Sequence, residues 1–121
     1  MSGVRQNAGM TPESLIQAQL DAYNAHDLQA FTACYSDDIK VYRPPAAEPV
    51  LSGKAAFSDF YATQRFNVPK LHAQVLNRMV LGNKVVDHER VSGLGDAPFE
   101  ASAVYEIKDG LISAVWFFYP E

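Results

Sequence analysis

The chain has 121 residues, enough for one domain with one hydrophobic core and too few for two. Its 14 acidic and 10 basic side chains leave a net charge of −4, the wrong balance for a protein that wraps nucleic acid. A single cysteine excludes an internal disulfide and a cysteine-rich zinc site, and no apolar run reaches the ~18 residues that cross a bilayer. Neither a nucleic acid nor a membrane is expected as a partner.

Residues 1–10 (MSGVRQNAGM) are small and polar, without periodicity and without the charged and apolar regions of a signal peptide. They are expected to be a disordered lead-in to a single domain over residues 11–121. With Cys34 unpaired, the expected compartment is the cytoplasm.

Thr11-Pro12-Glu13 opens the first helix: a hydroxyl cap, a proline where no N–H is needed, and an acid at the positive end. Leu15, Ile16, Leu20 and Tyr23 recur at helical spacing to about Ala25. Asp27 caps a short second helix whose apolar stripe is Leu28, Phe31, Cys34 and Tyr35. Ile39 to Arg43 reads as a strand stopped by Pro44-Pro45. After a loop to Gly53, a third helix runs from about Lys54 to Phe66, with Phe57, Phe60 and Tyr61 on one face.

Beyond Pro69 the period changes to two. Strands are expected over 71–81, 84–92, 99–108 and 111–119, with turns at Gly82-Asn83 and Asp109-Gly110. Helices followed by a run of antiparallel strands mean an α+β domain with the helices on one sheet face. Phe99, Ala101, Ala103, Tyr105 and Ile107 share one side of their strand and should face the helices. The last strand is apolar on both sides: Ile112, Ala114, Trp116 and Phe118 on one, Leu111, Val115, Phe117 and Tyr119 on the other. Three helices cover only one face, so the second apolar face points to a partner, most simply a second copy of the chain.

The strand VVDHERVS alternates Asp87 and Glu89 with His88 and Arg90. Its valines fall on both sides, so alternation leaves open which pair points inward. His26 reads as a helix-end cation and His72 as an exposed strand start. The three histidines lack any metal-ligand spacing, and no metal site is expected.

The segments YNAHDLQAFTACYSDDIKVYRPP, LSGKAAFSDFY and VYEIKDGLISAVWFF resemble the nuclear-transport-factor-2-like (NTF2-like) superfamily over about residues 11–119. Within it the chain is most similar to the SnoaL-like and ketosteroid-isomerase-like branches. The resemblance implies a cystatin-like cone, in which three N-terminal helices pack on a strongly curved, mostly antiparallel sheet and enclose an apolar pocket. It also implies a homodimer, and functions that range from isomerases, cyclases, dehydratases and epoxide hydrolases to non-catalytic binding proteins. Fold alone does not choose among them.

Steroid isomerisation in this superfamily uses a carboxylate base with a tyrosine and a protonated aspartate as an oxyanion hole. Aligned on AHDL, SDD and IKDG, those positions hold Arg43, Gln19 and Ala103. Arginine is always protonated and cannot act as the base. The same register turns Asp87, Glu89 and Val91 toward the pocket. It leaves His88 and Arg90 on the outer face with Val115 and Phe117 as the dimer contact. Glu89 is then the catalytic candidate, with Arg43 as its charge partner. Tyr23, Phe60, Tyr61, Asp87, Tyr105, Trp116 and Phe118 are the ligand-binding candidates.

The expected activity is binding of a small hydrophobic organic molecule with isomerase-like acid–base chemistry, which needs no cofactor. The alternatives are a non-catalytic ligand-binding or dimerisation module, and a dehydratase-like or epoxide-hydrolase-like enzyme.

Overall fold

The structure, a computed structural model, describes residues 10–120. The expected lead-in lies outside the described residues except for Met10, which packs against the main core.

Helix α1 (Pro12–Asn24) begins as its sequence dictates, with the Thr11 hydroxyl accepting a hydrogen bond from Ser14 N at 3.0 Å. It buries Leu15, Ile16, Gln19, Leu20 and Ala22. Helix α2 (Leu28–Thr32) is capped by Asp27, whose carboxylate accepts from Ala30 N at 3.0 Å. It is shorter than the apolar stripe implies, because Tyr35 already belongs to strand β1 (Tyr35–Tyr42). Two residues inside the following loop form β2 (Leu51–Ser52), and α3 (Lys54–Gln64) follows Gly53. The third helix therefore comes after two strands rather than before the sheet.

Strands β3 (His72–Leu81), β4 (Lys84–Ser92), β5 (Phe99–Lys108) and β6 (Leu111–Phe118) complete a six-stranded sheet in the order β2-β1-β6-β5-β4-β3. The sheet is mixed: β1 runs parallel to β6 and every other pair is antiparallel. Helix α1 contacts β3 and β4, and α3 contacts β1 and β2. The two longer helices thus lie over opposite halves of one sheet face and leave a space between them.

The core is largely aromatic on the α2–α3 side. Phe31 lies 4.8 Å from Tyr61 and 5.0 Å from Tyr35 between ring centroids, and Tyr35 lies 4.4 Å from Phe57. Phe31, Phe57 and Tyr35 are at most 2% exposed. A smaller cluster of Leu20, Leu71, Ala73 and Val91 closes the other end.

Register shifts decide which residues face the helices. On β5 the expected alternation holds, with Ala101, Ala103, Tyr105 and Ile107 buried. On β6 the pairing with β5 runs Ile112 to Ile107, then Ala114 to Glu106 and Val115 to Tyr105. Ser113 is the extra residue of a bulge, and beyond it the in–out phase is reversed. Ile112 points inward before the bulge; Val115 and Phe117 point inward after it, opposite Tyr105 and Ala103. A second bulge at Leu76 of β3 brings Arg78 opposite the buried Asp87.

Candidate functional site

Between α1, α3 and the inner sheet face lies a cavity of about 210 Å³. An apolar cavity of roughly 150 Å³ holds one benzene ring, so the space suits a somewhat larger small organic molecule. Helix α1 contributes Gln19, Leu20 and Tyr23, and α3 contributes Phe60 and Tyr61. From the sheet come Val41, Ala73, Glu89, Val91, Ala101, Tyr105 and Phe117. Arg43, Arg65 and Tyr119 lie in the flanking segments that complete the lining.

Of the β4 acids, Glu89 is the one that lines this cavity, and it is 9% exposed. Burial lifts its carboxyl from the ordinary 4.5 to about 7, the negative Asp87 adds to the rise, and Arg78 opposes it. Among the described residues no ion pair neutralises Glu89. A carboxyl that titrates near neutrality can both take and return a proton at physiological pH.

A chain of hydrogen bonds fixes the polar groups beside it. The Tyr35 hydroxyl donates to Gln19 Oε1 at 2.8 Å, and Gln19 Nε2 donates to the Tyr105 hydroxyl oxygen at 3.4 Å. Tyr105 therefore keeps its own proton available for another acceptor. Burial, with Glu89 and Asp87 adding to it, holds the Tyr105 pKa well above its ordinary value, so it is a donor and not a base. Gln19 lines the cavity itself and also orients Tyr105 there.

At the mouth, the Arg43 guanidinium lies 4.6 Å from the Tyr119 ring centroid and Arg65 lies 4.9 Å from that of Phe60. Both contacts are cation–π stacks.

Several expected placements are corrected. Arg43 lines the same cavity as Glu89 but is not its charge partner: it stacks on Tyr119, and the charges acting on Glu89 are Asp87 and Arg78. Asp87 is 1% exposed, is clamped by Arg78 and does not line the cavity. Trp116 and Phe118 do not line it either, because the Ser113 bulge turns them to the outer face, where Trp116 stacks on Tyr42 at 5.4 Å. For the same reason Val115 and Phe117 are not on the outer face: Val115 is 1% exposed, and Phe117 lines the cavity. His88 and Arg90 do lie outward, both paired with Glu100, His88 at 2.6 Å and Arg90 at 3.6 Å. Tyr23, Phe60, Tyr61 and Tyr105 line the cavity.

Arg65, Tyr119 and Arg78 are site residues that the sequence does not mark. Arg65 follows the last turn of a helix and Tyr119 follows a strand whose phase the Ser113 bulge inverts, so neither carries a local signal. At the end of α1, His26 Nε2 donates to Leu71 O at 2.9 Å and its ring stacks on Phe66. Among the described residues no group of three His, Cys, Asp or Glu side chains is arranged to hold a metal ion, and no helix is long and apolar enough to cross a membrane.

Comparison with known proteins agrees with this architecture. No curated protein gives a significant match. An uncharacterised cystatin-fold protein from Novosphingobium aromaticivorans superposes with a TM-score of 0.82 at 26% identity, over 90% of this chain and 98% of that one. A proposed ketosteroid isomerase from Kribbella flavida gives 0.78 at 23% identity, over 91% and 78% of the two chains. A proposed polyketide cyclase from Sinorhizobium meliloti gives 0.74 at 20%, over 89% and 99%. These likenesses place the curved, mixed six-stranded sheet in the cystatin-like, NTF2-like fold. The model of the SnoaL-like domain matches residues 16–115, and the chain belongs to that family.

Proposed function

We propose that the protein binds a small hydrophobic organic molecule between its helices and sheet and moves a proton on it, with Glu89 as the proton carrier. The observation that carries this is the Glu89 carboxyl itself: buried in an apolar cavity, without an ion-pair partner among the described residues, and raised to about 7. An unpaired buried carboxyl is costly, and such groups cluster at functional sites.

In the proposed step, ionised Glu89 takes a proton from carbon beside a ligand carbonyl. The carbonyl oxygen gains negative charge as the enolate forms, and the Tyr105 O–H, oriented by Gln19, donates to it. Neutral Glu89 then returns the proton to carbon, and the ligand leaves isomerised or unchanged. No cofactor enters this step. The proposed neighbours' names, an isomerase and a cyclase, are compatible with enolate chemistry but are theirs alone.

The test uses 2-tetralone, a bicyclic ketone with acidic C–H bonds, in deuterated buffer. Proton NMR should show exchange at the carbon beside the carbonyl faster with protein than with buffer, and Glu89→Gln should remove the acceleration while 2-tetralone still binds. Binding without acceleration by the wild-type protein would leave a ligand-binding module and overturn the catalytic part.

We also propose that the outer sheet face, with the Tyr42–Trp116 stack and the 45%-exposed Phe118, covers itself with a second copy of the chain.

A further inference from the structure

The proposed function leaves the chemistry of the ligand open, and the mouth of the cavity narrows it. Two arginines line this cavity in a protein whose net charge is −4. Neither makes an ion pair with a carboxylate among the described residues, whereas Arg78 and Arg90 both do. Each is instead held by an aromatic ring that itself lines the cavity, Arg43 over Tyr119 and Arg65 over Phe60. Stacking removes part of the rotamer freedom that a long cation loses on binding an anion. The Arg43 edge is left free to donate, while Arg65 gives one Nη1 hydrogen to Gln64 O at 2.8 Å and keeps its remaining donors.

Both cations line the one cavity and act on one of its side chains. Burial raises the Tyr119 pKa, and both Arg43 and Arg65 pull against that rise, so both act on the one hydroxyl. Neither is among the charges acting on Glu89, which are Asp87 and Arg78. Burial separates the lining into two poles: exposed Arg43 and half-buried Arg65 at the mouth, and the buried Glu89 carboxyl and Tyr105 hydroxyl deeper in. Apolar side chains such as Val91, Ala101 and Phe117 line the same cavity. A neutral hydrocarbon would leave both cations without a counterion; a dianion would set its second charge against Glu89.

Resting on the cavity's being a ligand site, we propose that its ligand is an organic monoanion, a carboxylate on an aromatic or alicyclic body. The carboxylate sits with Arg43 and Arg65 at the mouth and the apolar body extends toward Glu89 and Tyr105. Bidentate guanidinium–carboxylate geometry supplies the selectivity, and the body supplies the buried apolar area.

The test compares naphthalene-2-carboxylate with naphthalene-2-carboxamide by isothermal titration calorimetry, on wild type and on the double variant Arg43→Met, Arg65→Met. The same ring system with and without charge isolates the two arginines. The carboxylate should bind wild type at least about tenfold more tightly than the amide, a discrimination ordinary for a charge-assisted contact. The double variant should lose that preference and still bind the amide, which also certifies that its cavity is folded. Should the double variant fail to bind the amide, the two Arg→Gln single variants replace it, each expected to reduce the preference. Equal affinities on wild type would overturn the anion inference and leave the ligand site standing. A preference that survives substitution of both arginines would overturn its placement at the mouth. Binding of neither probe would overturn the ligand site itself, and the inference with it.

Discussion

Arg78 holds Asp87 through two parallel hydrogen bonds, Nε to Oδ1 at 2.7 Å and Nη2 to Oδ2 at 3.0 Å. The two residues face each other across β3 and β4, and Asp87 is 1% exposed. Gln17 accepts a third bond from the same guanidinium at 2.9 Å. Removing one partner leaves a buried charge uncompensated; removing both does not. Arg78→Met is expected to cost roughly 3–5 kcal/mol of stability, and the pair Arg78→Met, Asp87→Leu much less. Urea unfolding of the wild type, the single and the double variant measures this. A double variant as unstable as the single one would show that the loss is packing and not charge.

Glu89 makes stability depend on pH with a defined sign. Its folded pKa is about 7 against an ordinary 4.5, so between these values the folded chain keeps a proton that the unfolded chain releases. Its contribution is therefore most favourable below the lower value, declines as pH rises through the window, and is lost above about 7. The full difference is on the order of 3 kcal/mol. Glu89→Gln does not titrate, so relative to wild type it should gain stability between pH 4.5 and about 7. Asp87→Asn removes a charge that raises the Glu89 pKa and should shift this window downward. Taking differences from wild type cancels most of the background from the three histidines. A flat difference from acid to neutral pH would mean that Glu89 ionises like an exposed carboxylate.

What was legible in the chain follows from how local the signal is. Thr11-Pro12 marks a helix start because the cap and the missing N–H are set by adjacent residues. The β5 faces are legible because small and aromatic residues alternate with polar ones, so the phase carries its own marker. On β4 the valines sit on both faces, and only the family register turned Asp87 and Glu89 inward, as observed. On β6 both faces are apolar, and a bulge at Ser113 inverts the phase without changing the hydrophobic pattern. Period-two counting assumes an unbroken pleat and so assigned Trp116, Phe118, Val115 and Phe117 to the wrong sides. That Arg43, from the end of β1, and Arg65, from the end of α3, line one cavity is a product of tertiary structure. Neither residue's neighbours in sequence encode it.

The β6 inversion also reverses the expected effect of substitutions meant to probe a second copy. Trp116 stacks on Tyr42 on the outer face at an interplanar angle of 12°, whereas Val115 lies within the core cluster. On the proposed pairing through the outer face, Trp116→Asp places a charge in the contact without entering the cavity. It should convert a dimer into a monomer that still binds a cavity ligand. Val115→Asp buries an unpaired carboxylate among Tyr35, Ile39, Tyr105 and their neighbours, and should unfold the chain rather than separate two folded ones. Light scattering with circular dichroism on both variants separates the outcomes. A folded, dimeric Trp116→Asp, or a wild type that is monomeric at micromolar concentration, would remove the outer face as the contact.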